Sequence, residues 1–156
     1  MLATSDPLTG LGNYRKLIDA LDAEIRRCRR TANKFAFLIL DLDRLKEIND
    51  RFGHVAGNRA LCRVANVLRL QCRDYDVTAR YGGDEFAIVL PNVNQQTAHD
   101  VARRIRKQLR GDTEHPPISV SLGIAIWPKD GSTVEKLVLT ADEELYAMKN
   151  GRRALA

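Results

Sequence analysis

Arg80-Tyr81-Gly82-Gly83-Asp84-Glu85-Phe86 is the stretch on which the reading of this chain turns. Apolar runs flank it, Val77 to Tyr81 before and Phe86 to Leu90 after. Two β-type runs parted by Gly-Gly predict a tight hairpin, because glycine reaches positive φ without a Cβ penalty. A tip without side chains also lets the backbone come close to a bulky ligand. Asp84 and Glu85 stand at that tip, where carboxylates can hold a divalent cation or take a proton. Read alone, the heptapeptide serves equally as a solvated turn with two solubilising acids.

The rest of the chain narrows the choice. Its 156 residues suffice for one domain with a real core. An apolar content of 44% and a charged content of 29% belong to a globular chain rather than a disordered one. No apolar run approaches the roughly 20 residues that span a bilayer, and residues 1–15 lack a signal-peptide core. Cys28, Cys62 and Cys72 are odd in number, lack metal-site spacing and fall in helix-like segments, as expected of idle thiols in a reducing cytoplasm. The net charge of +5 concentrates at Arg26–Arg30, Arg103–Arg110 and Lys149–Arg153. No aromatic residues interleave to stack bases, so the charge suits a small polyphosphate better than a long nucleic acid.

From the N-terminus, Asp6 to Gly12 is rich in turn formers, and Asn13 is placed to cap a helix with the stripe Leu17, Ile18, Leu21, Ile25 and Cys28. Phe35 to Leu40 reads as a strand buried on both faces, running straight into Asp41-Leu42-Asp43. Two acids at the end of a buried strand are costly unless solvated or paired with a cation, although Asp43 would serve to cap the next helix. That helix would turn Leu45, Ile48 and Phe52 inward and end at Gly53. His54 to Asn58 reads as a turn, with Asn58 capping a helix whose stripe is Leu61, Val64, Ala65 and Leu68. Asn94 opens a further helix, and Ile118 to Ile126 alternates as a strand with its large residues under helices. Ser132 and Glu135 form a capping box for a last helix running to about Lys149. The order predicts an α+β sandwich with a mostly antiparallel sheet.

Several separate segments carry a family resemblance in the right order: Asp6-Pro-Leu-Thr-Gly-Leu-Gly-Asn13, Asp41-Leu-Asp-Arg-Leu-Lys-Glu-Ile-Asn-Asp50, Phe52-Gly-His54, Arg80 to Phe86, Ser119 to Ala125 and Ala141 to Tyr146. The chain resembles the GGDEF domains, the diguanylate cyclases of bacteria, as a single domain over residues 5–153. The resemblance implies a palm-like nucleotidyl-cyclase fold, with about five strands flanked by helices and the motif on a β-hairpin. It implies condensation of two GTP into cyclic di-GMP plus two pyrophosphates, with Mg2+ or Mn2+ as cofactor. Asp41, the carbonyl of Leu42 and Asp84 match the family's metal positions. Asp84 or Glu85 would help to deprotonate the attacking hydroxyl, and Gly82 and Gly83 would let the nucleotide lie against the hairpin. Lys46, Lys149 and the amides of Arg44 and Leu45 match phosphate-holding positions. Arg73-x-x-Asp76 matches the product-inhibition site, although as residues they also make a helix-end ion pair. The family needs two domains face to face, each with one GTP, so a homodimer and an upstream sensor in a longer cytoplasmic or membrane-bound protein are expected.

Three positions depart from the pattern. Asn58 stands where the family usually has the aspartate that reads guanine, while Asn49, the other guanine-reading position, is intact. A carboxylate accepts from both N1–H and N2–H of guanine, whereas an amide accepts at one end and donates at the other, which also suits adenine. The C-terminal motif is one residue short, so either Arg152 or Arg153 would serve the phosphate. Tyr14 stands at a position that is often arginine. These departures keep two alternatives open: a catalytically weak receptor for GTP or cyclic di-GMP, and a cyclase of altered base specificity.

Overall fold

The computed structural model describes the backbone of residues 3–155 and the side chains of residues 3–151. Nine elements follow in order: α1 (Tyr14–Thr31), β1 (Phe35–Leu42), α2 (Leu45–Phe52), α3 (His54–Gln71), β2 (Val77–Arg80), β3 (Glu85–Pro91), α4 (Gln95–Gly111), β4 (Val120–Trp127) and α5 (Val134–Leu155). The strands form one antiparallel sheet in the order β2-β3-β1-β4. Among the described residues this sheet has four strands where about five were expected. A single parallel bridge from Gly12 to Ala79 is all that extends its β2 edge.

β1 is central because its sequence can be. All eight of its residues are buried, and it pairs with β3 on one side and β4 on the other. Leu38, Leu40 and Leu42 face a core shared with Leu61, Val64 and Leu68 of α3 and Val101 and Ile105 of α4. Phe35, Phe37 and Ile39 face a second core against Leu17, Leu21 and Ile25 of α1 and Leu137 of α5. The sheet is thus covered on both faces, which explains the continuous apolar run of β1. β4 shares this environment: Val120, Leu122, Ile124 and Ile126 join the core of α3 and α4, while Ala125 and Trp127 join the core of α1 and α5. At Gly123 the α5 backbone sits so close that a Cβ would collide with Ala141 O and stand 2.7 Å from Leu145 N.

Several local expectations shift by a residue or a role. Asn13 does cap α1, its side chain accepting from Lys16 N at 3.1 Å. His54 to Asn58, in contrast, is the opening of α3 and not a turn. Gly53 alone makes the break, at φ 89°, so Asn58 lies inside the helix and caps nothing. Phe52 is 42% exposed rather than inward, its ring edge-on to His115 at 5.4 Å. The last helix is capped by Thr133, which accepts from Lys136 N, and not by Ser132; it runs on past Lys149.

The Gly123 contact yields a stability test. Gly123→Ala must push α5 off the sheet, and overpacking of this kind costs about 2–3 kcal/mol. Urea unfolding of the variant should read that loss; a midpoint equal to the parent's would mean that α5 is not seated on β4 at this residue.

Candidate active site

The C-terminal end of β1 delivers Asp41 into the middle of the sheet edge, opposite Glu85 of β3 and Ser121 of β4. Asp41, Asp84 and Glu85 each present a carboxylate oxygen, and the three oxygens lie within 4.8 Å of one another. Lys149 of α5 pairs with Oδ2 of Asp41. Among the described residues, Asp41 Oδ1 is buried without a hydrogen-bond partner. Burial pushes the Asp41 carboxyl above its usual range; Lys149 opposes the rise, and the neighbouring charges of Asp84 and Glu85 add to it. An orphaned buried oxygen in a three-carboxylate cluster fits a hard divalent cation, which would satisfy the oxygen and neutralise the repulsion.

The hairpin tip is built differently from the expected tight turn. Neither Gly82 nor Gly83 takes positive φ. Four residues separate β2 from β3, closed by Tyr81 N donating to Glu85 O at 3.0 Å. Gly82 matters through space: the Glu85 side chain folds back over it, and a Cβ there would stand 3.2 Å from Glu85 Cβ and Cδ. Gly83 has open space around it. Arg80 fixes the tip, its Nη2 donating to Gly83 O at 2.9 Å and its Nη1 reaching Asp6 Oδ1 at 3.2 Å. Leu42 N donates to Asp84 O at 2.9 Å and ties the tip to the end of β1.

Beside this cluster opens a cleft of about 750 Å3, lined in part by Leu42, Arg44, Asp84, His115, Pro116 and Lys149. Asp43 is not a helix cap. It accepts from Ser119 Oγ at 2.7 Å and Ser121 Oγ at 2.8 Å, and its amide donates to Ser119 O. The loop from β1 to α2 is thereby fastened to β4. Arg44, the N-cap residue of α2, takes the left-handed conformation at φ 60° and makes no capping bond with its own side chain. Such a helix start favours an anion.

The structure brings Asp41, Leu42, Asp84, Glu85, Arg44 and Lys149 together, and it separates others from them. Lys46 is exposed on α2 and lines neither cleft described here. Asn58 lines a second cleft of about 410 Å3 along the outside of α3, with Leu8, Cys62, Arg63, Asn66 and Glu114 among its neighbours. Asn49 lies against Gly57, where any Cβ would collide with its Oδ1. Arg73 and Asp76 do form the helix-end ion pair, with Arg73 N donating to Asp76 Oδ2 at 2.7 Å and the guanidinium 4.4 Å from the Tyr75 ring. The side chains of Arg152 and Arg153 lie outside the described residues. The Cys72 thiol is pushed up to about 12 by burial and then by Asp76, so it stays protonated.

Sequence reading missed four residues here. Burial, and then the neighbouring Glu85 carboxylate, drives the Tyr81 phenol upward. Asp142 is raised by burial and by Asp41; its one sequence signal is its place two helical turns before Lys149. Arg80 joins the tip to Asp6, and Arg104, which donates to Gln71 Oε1 at 3.1 Å, adds a second guanidinium near Cys72 and Arg73. The contacts of Arg80 with Asp6 and of Arg104 with Gln71 join residues 74 and 33 positions apart and leave no local pattern.

Comparison with known proteins agrees with the geometry. The family model described as diguanylate cyclase, GGDEF domain, matches residues 3–154. The response regulator PleD of Caulobacter vibrioides is 35% identical over 99% of this chain, which spans 36% of PleD. The crystal structure of a sensory box/GGDEF family protein from Caulobacter crescentus superposes with TM-score 0.87 at 35% identity, covering 96% of this chain and 99% of that one. The coiled coil and GGDEF domain of DgcB from the same organism, in complex with c-di-GMP, superposes with TM-score 0.87 at 28% identity, covering 95% and 81%. This chain therefore spans about a third of the length of its curated relative. Among the described residues, no helix is long and apolar enough to cross a membrane.

The Asp6–Arg80 contact gives a pH-dependent prediction. Burial opposes ionisation of Asp6, but hydrogen bonds from Thr9 and Arg80 outweigh it and hold the carboxyl below its usual 3.8. A depressed native pKa contributes stability that is present above 3.8 and is lost as pH falls through the native value. Asp6→Asn should cost about 2 kcal/mol at neutral pH. In thermal melts the gap to the parent should close on acidification below that pH; a constant gap would show that the charge of Asp6 is not what stabilises the turn.

Proposed function

Because the chain belongs to the GGDEF family of diguanylate cyclase domains, we propose that it condenses two GTP into cyclic di-GMP with release of two pyrophosphates. The observation that carries this reading is the orphaned Asp41 oxygen in its cluster with Asp84 and Glu85, beside a cleft edged by Lys149. Asp41, Asp84 and the Leu42 carbonyl would hold Mg2+ or Mn2+, which when bound neutralises the triphosphate and makes the ribose oxygen a better nucleophile. The 3′-hydroxyl gives its proton to Asp84 or Glu85 as its oxygen bonds to the α-phosphorus of the second GTP. The bond from that phosphorus to the bridging oxygen breaks, and pyrophosphate leaves. Repetition of the step closes the ring.

The amides at the start of α2 would bind phosphate, helped by Lys149 and by Arg152 or Arg153, with Lys46 reaching over from the exposed face of α2. Lys149 exchanges its carboxylate partner for phosphate without leaving the site. A single cleft of this kind holds one GTP, so turnover takes two copies face to face. We take the chain, with its domain at 5–153, as the output part of a longer protein working where GTP is supplied, in the cytoplasm under a sensory domain. Arg73 and Asp76, with Arg104 nearby, supply guanidinium and carboxylate groups for guanine and phosphate of the product, as an inhibitory site.

Base choice rests on Asn49 and Asn58. An amide at Asn58 leaves one guanine donor unpaired, at a cost of about 1–3 kcal/mol where water is excluded. Since Asn58 is exposed at its cleft, water can take that donor, which favours GTP over a switch to adenine.

Incubation at high protein concentration with Mg2+ and GTP, ATP or both, followed by chromatography, should yield cyclic di-GMP from GTP. Asp84→Asn should lower its formation at least about a hundredfold. Asn58→Asp should sharpen preference for GTP over ATP. A mixed or adenine product from the parent would make Asn58 a specificity switch, and full activity in Asp84→Asn would overturn the mechanism. The two glycines should also part company. Gly82→Ala displaces Glu85 and should lower kcat about tenfold or more, while Gly83→Ala should leave the melting temperature unchanged and act only on nucleotide affinity.

A further inference from the structure

Arg63 of α3 is a charged residue with no place in the reaction above, yet it is only 8% exposed. Its guanidinium is spent entirely on one loop, residues 112–117, between α4 and β4. Nε donates to Asp112 Oδ2 at 2.9 Å, Nη1 to the carbonyl of Pro116 at 2.6 Å, and Nη2 to the carbonyl of Glu114 at 3.3 Å. The Glu114 carboxylate stands 3.4 Å from Nε, and Glu114 N donates to Asp112 Oδ1 at 2.9 Å. That loop has no strand partner, so its buried carbonyls depend on this donor set. A planar fork reading two carbonyls and a carboxylate fixes position as well as charge.

The loop borders two clefts, and the arginine lines only one of them. His115, Pro116 and Pro117 line the larger one, where His115 meets Phe52 of α2. Arg63 and Glu114 line the second, with Asn58 and Asn66. We propose that Arg63 is a positioning residue that couples the two clefts, seated in the wall of one while it fixes the wall of the other. A nucleotide part lodged beside Asn58 touches the group that sets the width of the cleft beside Asp84. Arg63 acts through the loop and contacts no reacting atom. The proposal rests on the cyclase reading for its kinetic consequence, but its structural content stands without it.

Two variants and two readouts test it on the whole chain. Arg63→Met removes all three donors, and Asp112→Asn weakens one contact in case the first fails to fold. Both should raise KM for GTP, by about tenfold and about threefold, with kcat changed less than about twofold. A residue needed only for stability would instead lower the active fraction at constant KM. The second readout needs no activity: the imidazole signals of His115 in nucleotide-free protein, followed by NMR, should shift in both variants. Addition of GTP with Ca2+ to the parent should move those signals, and do so less in the variants. If the parent makes no product, the cyclase reading falls, and the His115 signals alone decide the coupling. Unshifted His115 signals in a folded variant, or a loss of kcat at constant KM, overturns it.

Discussion

A carboxylate that the sheet buries without fully pairing governs this structure. β1 is central, so its last residues are enclosed from both sides, and Asp41 arrives there with one oxygen on Lys149 and the other, among the described residues, without a partner. Folding tolerates such a group only because the rest of the sheet is over-determined by two apolar cores. The cost is concentrated where Asp84 and Glu85 add like charge. The like charges that burden this cluster are of the kind a divalent cation would relieve, so under the proposed reading ligand affinity is stored in the fold as unpaired electrostatics.

Around this rigid centre, the loops are held by arginines gripping main-chain carbonyls. Arg80 takes Gly83 O, Arg63 takes the carbonyls of Glu114 and Pro116, Arg69 takes Thr9 O, and Arg29 takes Ser132 O at 3.2 Å. Each of these carbonyls lies outside the strand ladders and needs a donor from elsewhere. Four of the 25 Lys and Arg residues thus serve the main chain, and their guanidinium donors to these carbonyls are not free for a ligand.

The fold was legible where local pattern and burial agree. The unbroken run Phe35–Leu40, the stripe of α1 and the alternation around Ile124 each encode their own environment. Asp41, Asp84 and Lys149 were legible as a set only through resemblance, since they come from three distant segments. Reading failed where one residue has two uses. Gly57 looks like a turn former, but it sits inside α3 because Asn49 needs its space. Asp43 looks like a cap, but its hydroxyl partners lie 76 and 78 residues further on. Arg63 looks like any exposed helix arginine. The hydrogen bonds of Asp43 and Arg63 join residues 49 to 78 positions apart, and no local window contains them.

The ion pair between Lys149 and Asp41 joins residues 108 positions apart, from the central strand to the last helix. A chain still lacking α5 would enclose Asp41 near two other acids with no counter-charge and would leave Gly123 bare. Order of assembly follows from this. The three-carboxylate cluster matures only after the final helix docks, so contacts of long sequence separation make it a late product of folding. A partly folded chain can own the sheet and still lack the finished three-carboxylate cluster.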